Sequence, residues 1–274
     1  MKKVVVLRIA LVGHGKMGSA LLTQWCSVVD TDFPGTKFFV IDPMQHDSLS
    51  AESDHIDYLR EPPPVDECAF DLVIVAVKPQ VVAEVLPDYA ARLSQDGFVA
   101  SIAAGCSIER LKALSGGAAV VRVMPNLPSA IGAGVSGLCA DGDATEAQRA
   151  LIERLMAAAG STMWVPDEDM LDRLTAVAGS GPGYILEIAR NYVDAAASMG
   201  FSPEDARQLV LGTMAGTIAM AIGSQSSLEQ LRISVTSKNG TTAAGLEALN
   251  GDDALGERFS ATLKAAYVRA VELR

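Results

Sequence analysis

Three glycines, Gly13, Gly15 and Gly18, fall at the spacing Gly-x-Gly-x-x-Gly directly after the apolar run Ile9-Ala10-Leu11-Val12. That spacing has a defined chemistry when a strand runs into it and a helix leaves it. The first glycine permits the tight turn, the second lets the backbone approach a pyrophosphate, and the third lets the helix pack on the strand. A helix starting near Lys16 offers free N–H groups and the positive end of its dipole to the phosphates. The turn Gly13-His14-Gly15-Lys16-Met17-Gly18 is therefore expected to hold a dinucleotide. An ordinary strand-to-helix turn is the competing reading, and the strand-then-helix context disfavours it.

The next apolar run, Lys37–Ile41, ends at Asp42. An acidic residue there accepts hydrogen bonds from the adenosine ribose and repels a 2′-phosphate, which leans the cofactor toward NADH over NADPH. Lys37, His46 and the loop backbone are the alternative receivers of a phosphate. Two further strand ends carry polar groups: Val75-Ala76-Val77-Lys78-Pro79 and Arg122-Val123-Met124-Pro125-Asn126-Leu127-Pro128. Ligands of open parallel sheets lie over such carboxyl edges, so Lys78 and Asn126 are candidate cofactor contacts. The plainer alternatives are prolines that end strands and a solvated lysine cap.

These residues need elements to hold them. From Arg8 to about Pro166, apolar runs rich in Val and Ile alternate with helical stretches. The runs are Arg8–Val12, Lys37–Ile41, Leu72–Val77, Phe98–Ile102, Val120–Val123 and Val135–Leu138. Such runs suit strands buried on both faces, and the alternation, with helices such as Ser19–Val29 and Val81–Leu93, predicts a parallel sheet covered on both sides. After Pro166 the strand signal stops. Leu171–Val177, Pro182–Met199, Pro203–Ile222, Ser227–Val235 and Asp253–Leu273 read as helices, with Pro182 and Pro203 in first turns and Gly200 and Gly223 at ends. Residues 1–166 and 167–274 are expected to form two domains. The small residues Thr213, Ala215, Gly216, Ala219 and Ala221 make Pro203–Ile222 a helix for the centre of a tight bundle. The apolar surface of that bundle calls for a second subunit.

Composition narrows the partners. The net charge is −11, which repels phosphate backbones, so nucleic acid is not an expected partner. Cys26, Cys68, Cys106 and Cys139 lie far apart, and His14, His46 and His55 have no metal-ligand spacing. No metal is expected, and the cysteines read as buried residues of a reducing cytoplasm. Arg8 and the glycine turn interrupt the signal-peptide-like start Met1-Lys2-Lys3-Val4-Val5-Val6-Leu7, which is read as a lead-in to the first strand. Leu209–Ile222 is too short to span a bilayer, so no membrane association is expected.

The chain resembles the pyrroline-5-carboxylate reductase family from its first strand to its last helix. The likeness is carried by Gly13-x-Gly15-x-Met17-Gly18, Ala76-Val77-Lys78-Pro79, Ser101-Ile102-Ala103-Ala104-Gly105, Arg122-Val123-Met124-Pro125-Asn126 and Gly179-Ser180-Gly181-Pro182-Gly183-Tyr184. The most distinctive stretch is Leu231-Arg232-x-x-Val235-Thr236-Ser237-Lys238-Asn239-Gly240-Thr241-Thr242-x-x-Gly245-Leu246. Where the family usually has Ser-Pro-Gly-Gly, this chain has Ser237-Lys238-Asn239-Gly240. Asn239 tolerates the left-handed conformation, so the loop shape is expected to survive.

The resemblance implies an α/β chain: an N-terminal Rossmann-like doubly wound parallel sheet, then an all-α helical domain for substrate binding and dimerisation. It implies hydride transfer from NADH or NADPH to the imine of 1-pyrroline-5-carboxylate, giving L-proline, the last step of proline biosynthesis. Gly13 to Gly18, Asp42, Ala76, Val77, Lys78, Pro79, Ala104, Gly105 and Asn126 are then the expected cofactor contacts. Ser237, Gly240, Thr241 and Thr242 are the expected substrate contacts. Backbone N–H groups of Gly240 and Thr241, at a helix start, suit a carboxylate. By resemblance Thr242 is the catalytic residue, its hydroxyl bonding the ring nitrogen. The plainer role of Ser237, Thr241 and Thr242 is to cap the helix Ala243–Leu249. At least a homodimer is implied, with a larger ring of dimers as the extended form. Two alternatives stand beside this reading: a reductase of another cyclic imine or a hydroxy acid, and a non-catalytic dinucleotide-binding regulator. Hydroxy-acid relatives place a lysine on the first long helix of the second domain, where this chain has Arg190 and Asp194 as charged candidates and no lysine.

Overall fold

The computed structural model describes residues 6–44 and 54–274. Among them, eight strands form one sheet: β1 (Arg8–Val12), β2 (Lys37–Ile41), β3 (Ile56–Leu59), β4 (Phe70–Val75), β5 (Leu93–Ser101), β6 (Val120–Met124), β7 (Gly134–Ala140) and β8 (Gly160–Trp164). Their order is β3-β2-β1-β4-β5-β6-β7-β8. Strands β1 to β6 run parallel, β7 is antiparallel to β6, and β8 is parallel to β7. The sheet is thus mostly parallel rather than wholly so. The link from β6 to β7 is residues 125–133, too short for the dozen or so residues a parallel crossover needs. A 3-10 turn at Leu127–Ile131 reverses the chain instead.

Alternate residues of each central strand enter different cores, which is why the strands are apolar throughout. Ile9 and Leu11 pack with Leu21 and Trp25 of α1 (Lys16–Asp32) and with Ile152 and Leu155 of α4 (Glu146–Ala157). Ala10 and Val12 pack on the opposite face with Val82 and Leu86 of α2 (Pro79–Ala90) and Leu111 of α3 (Ile108–Leu114). Each such large side chain contributes about 1.5–3 kcal/mol by leaving water. The Trp25 indole donates to the Leu155 carbonyl at 2.9 Å, so its one polar atom is satisfied in the core. The helix expected over Val81–Leu93 stops at Ala90, and Leu93 already belongs to β5.

Two compact units are present. The first holds the described residues up to Ser180 together with Ala266–Arg274, and the second is Gly181–Ala265. The helix expected over Leu171–Val177 is in fact α5 (Glu168–Leu174) followed by a π-helical turn at Thr175–Gly179.

In the second unit, α6 (Gly181–Ser198), α7 (Pro203–Ile222), α8 (Leu228–Ser234) and α9 (Thr241–Asn250) precede α10 (Ala254–Leu273), whose last turns belong to the first unit. Ser202 accepts from Asp205 N at the start of α7, and Ser227 and Gln230 form a reciprocal cap on α8. Helix α6 packs on α7. Yet α6 and α7 bury only Ala189, Ala206 and Val210, while α8, α9 and α10 bury no residue. Ile185, Tyr192, Leu209, Ile218 and Ile222 are all half exposed or more. A helix apolar on all sides is one that needs cover on all sides, and a single chain does not cover α7. No helix among the described residues is long and apolar enough to cross a membrane.

Candidate active site

Strand β1 is flanked by β2 and β4, so the strand order reverses beside it and a crevice opens at the carboxyl ends. The glycine turn lies there. Gly13 has φ +98, and a Cβ on it would sit 2.9 Å from the Ala76 carbonyl oxygen. Its N–H donates to the Ile41 carbonyl at 2.9 Å, tying the turn to β2. A Cβ on Gly18 would lie 2.6 Å from the Gly13 carbonyl oxygen, so α1 packs directly on the turn. Gly15 has open space around its Cα and stands at the N-cap of α1, which no side chain caps. The first-turn N–H groups of α1 therefore face a clear approach, the cradle a pyrophosphate requires.

Asp42 closes the other side. Its carboxylate accepts from the His14 N–H at 2.8 Å and from the Met44 N–H at 2.9 Å. His14 is buried, its ring edge-on to Tyr58 at 5.8 Å. A cleft of about 680 Å³ runs between these groups, a size that suits a bound small molecule. Gly13, Gly15, Asp42, Ala76, Val77 and Lys78 all line it, with Val81 and Val85 of α2 as an apolar wall. The residues present thus fit a dinucleotide. Lys78 is the N-cap of α2 and Pro79 its first residue, which explains the sharp exit from β4.

Sequence reasoning missed other lining residues: Arg60 and Glu61 after β3, and Glu84, Asp88 and Tyr89 on α2. The Tyr89 hydroxyl is pushed up to about 12, chiefly by burial, so it stays protonated. The signal for the α2 residues was available, since Val81, Glu84, Val85 and Asp88 recur at helical spacing. Of the alternative phosphate receivers, Lys37 starts β2, away from the crevice, and pairs with Asp57 at 2.9 Å. His46 lies outside the described residues.

Three of the expected cofactor contacts, Ala104, Gly105 and Asn126, do not line this cleft. Ala104, exposed, and Gly105, half-buried, form a turn after β5, with Gly105 at φ +74. Asn126 follows β6, but both ends of its buried amide are engaged. Its Nδ2 donates to the Ala178 carbonyl at 3.0 Å, and its Oδ1 accepts from Val135 N at 2.9 Å. It joins the ends of β6 and β7 to the π-helical turn. An ion pair was also unforeseen: buried Arg122 in β6 meets half-buried Glu168 at 2.6 Å, and the same carboxylate oxygen accepts from Ile108 N at 3.0 Å. Cys106 is fully buried and its thiol is pushed up by desolvation.

In the second unit, Ser237 to Thr242 join α8 to α9. Asn239 takes φ +61, the left-handed conformation expected of it. The Gly240 N–H donates to the Ser237 carbonyl at 3.1 Å, closing the loop. Helix α9 begins at Thr241 rather than Ala243, with Gly240 at its N-cap and no side-chain cap. The hydroxyls of Ser237, Thr241 and Thr242 are thus not spent on capping, and all three residues are exposed. Arg190, weighed above as a charged candidate on α6, pairs with Glu187 at 2.7 Å and Asp194 at 2.9 Å.

Comparison with known proteins agrees with this geometry. Residues 168–273 match the family model described as pyrroline-5-carboxylate reductase dimerisation, and residues 8–105 match that of NADP oxidoreductase coenzyme F420-dependent. The pyrroline-5-carboxylate reductase of Pseudomonas aeruginosa is 34% identical over 269 residues, covering 97% of this chain and 96% of its own. That of Haemophilus influenzae is 34% identical over 261 residues, covering 94% and 93%. Among solved structures, a pyrroline-5-carboxylate reductase from Coxiella burnetii superposes with a TM-score of 0.85 at 30% identity, covering 97% of both chains. The Plasmodium falciparum pyrroline carboxylate reductase, solved with NADP bound, gives 0.80 at 25% identity, covering 97% of this chain and 98% of its own. The dimerisation match supports self-association. The chain belongs to the pyrroline-5-carboxylate reductase family, as an NAD(P)H-dependent oxidoreductase of proline biosynthesis.

Proposed function

We propose that this chain reduces 1-pyrroline-5-carboxylate to L-proline with NADH in preference to NADPH, and that Asp42 sets the preference. The observation that carries this is the Asp42 carboxylate lining the cleft, held by the N–H groups of His14 and Met44. Ribose hydroxyls would donate to it, whereas a 2′-phosphate would meet its charge and those of Glu61, Glu84 and Asp88 nearby. The NADP in the Plasmodium falciparum relative belongs to that protein.

The remaining roles follow the same reading. First-turn N–H groups of α1, framed by Gly13 to Gly18, hold the pyrophosphate. Ala76, Val77, Lys78 and Pro79, with Ala104 and Gly105, border the rest of the dinucleotide, and Asn126 braces that edge of the sheet. The bound dinucleotide supplies a hydride from its nicotinamide C4. An iminium carbon is already electrophilic, so the protein needs no strong acid; it must hold the ring and fix the carboxylate. The Thr241 N–H at the start of α9, with Ser237 and the Gly240 N–H turned from the Ser237 carbonyl it bonds in the closed loop, would hold the carboxylate, and the Thr242 hydroxyl suits the ring nitrogen. In the division of labour, residues 1–166 bind the dinucleotide and 167–274 serve substrate and assembly.

The assembly is proposed to be a homodimer, with a larger ring of dimers as its extended form. The lack of nucleic-acid partners accords with the charge of −11, and a cytoplasmic setting with four widely spaced cysteines. The reaction is tested by mixing purified protein with pyrroline-5-carboxylate and either reduced cofactor and following cofactor absorbance. Turnover forming proline is expected, and none with either cofactor would defeat the reading.

A further inference from the structure

We propose that the segment Ala266–Arg274 is a positioning strap for the Ala104–Gly105 turn, and through that turn for the nicotinamide cofactor. The proposal rests on the reading that Ala104 and Gly105 border the dinucleotide.

The segment belongs to the same compact unit as the sheet. Its Leu273 backs the turn directly. A Cβ on Gly105 would collide with the Leu273 carbonyl oxygen and lie 3.0 Å from its carbonyl carbon. Gly105 also sits at φ +74, where a side chain is strained. Ala104, beside it, stays exposed and open to a ligand.

Two anchors hold the strap to α5. Arg274 reaches the buried carboxylate of Asp172, with Nη1 to Oδ2 at 3.2 Å. The Tyr267 hydroxyl donates to Asp169 at 2.5 Å, and the Arg173 guanidinium lies over the Tyr267 ring at 4.8 Å. Helix α5 is in turn fixed to the chain just beyond the turn. Glu168 accepts from Ile108 N, at the start of α3, while pairing with Arg122. Contacts therefore close a circuit from Gly105 through Leu273 and Arg274 to Asp172, along α5 to Glu168, and back through Ile108 to Gly105. A turn held at both its Cα face and its exit has less freedom to lose when a ligand binds, so loosening the strap should weaken that ligand first.

The test compares Arg274→Ala, Arg274→Lys and Tyr267→Phe with Gly105→Ala in the full chain. For each, the NADH dissociation constant is read by fluorescence titration, kcat and both KM values by steady-state kinetics, and Tm by thermal unfolding. Arg274→Ala is expected to weaken NADH roughly 3- to 10-fold while the imine KM stays within about twofold, and Arg274→Lys should restore most of the loss. Tyr267→Phe, which removes one oxygen, should move NADH affinity in the same direction by less. Unchanged NADH affinity in Arg274→Ala and Tyr267→Phe, with weakening in Gly105→Ala, would overturn the strap and leave the turn's role standing. Unchanged affinity in Gly105→Ala would overturn the turn's role and the strap with it. A fall in Tm with NADH affinity, imine KM and kcat all worsening together would mark the contacts as structural only, and likewise overturn the proposal.

Discussion

The Asp42 carboxylate accepts a hydrogen bond from the backbone N–H of His14 at 2.8 Å. The acidic end of β2 and the glycine turn after β1 are therefore one surface, and a change at Asp42 is felt in the turn as well as at the ribose. Of the other charged groups lining the cleft, Glu61, Glu84 and Asp88 share its sign and Arg60 and Lys78 oppose it, so the discrimination against an extra phosphate is centred on Asp42.

Thr242→Ala should lower kcat about 10- to 100-fold, since a group that bonds the reacting nitrogen is lost. NADH affinity should stay within about twofold, because the substitution lies outside the dinucleotide cleft. Steady-state kinetics and cofactor titration check this together; unchanged kinetics would remove Thr242 from the site.

Asn126→Ala leaves the Ala178 carbonyl and the Val135 N–H without the partners they now have. The expected cost is about 2 kcal/mol of stability, read by denaturant unfolding. A variant of native stability with much weaker NADH binding would instead make Asn126 a direct cofactor contact.

Ile218→Asp places a charge on the open apolar face of α7, where Ile218 is 59% exposed in the single chain. If a second subunit covers that face, self-association weakens roughly tenfold or more, because a charge would be buried without a partner. Sedimentation velocity over a dilution series reads the effect, and an unchanged oligomer would mean α7 lies outside the interface.

The Tyr267 hydroxyl and then Arg173 hold the Asp169 carboxyl below its ordinary range. A depressed carboxylate adds stability above its unfolded pKa and loses it as pH falls through the folded value. The Asp169→Asn variant should therefore approach wild-type stability below the folded pKa and be less stable than wild type at higher pH. Parallel wild-type and variant curves across the acid limb would contradict this.

Much of the first unit was legible because its central strands are buried on both faces. Lys37–Ile41 and Arg8–Val12 match β2 and β1 to the residue. The edge strands escaped for the opposite reason. In β3 all four residues are half-buried and Asp57 interrupts the apolar run, while β8 alternates half-buried with exposed residues, so neither carries a continuous signal. The π-helical turn was illegible because Thr175–Gly179 has the composition of ordinary helix; what accompanies it is the Asn126 amide, fixed from far along the chain. The loop at Asn239 was read correctly because its left-handed backbone is a local property of the residue. The same logic fails for Leu273, whose contact with Gly105 is wholly tertiary.

The most direct measurement is kcat/KM with NADH and with NADPH, at fixed pyrroline-5-carboxylate, for the wild type and Asp42→Ala. The wild type should favour NADH by about tenfold or more, since a 2′-phosphate would be set against a carboxylate fixed in the cleft. Asp42→Ala should lose most of that preference, chiefly by gaining activity with NADPH. A wild type that favours NADPH, or a ratio that Asp42→Ala leaves unchanged, would contradict the account.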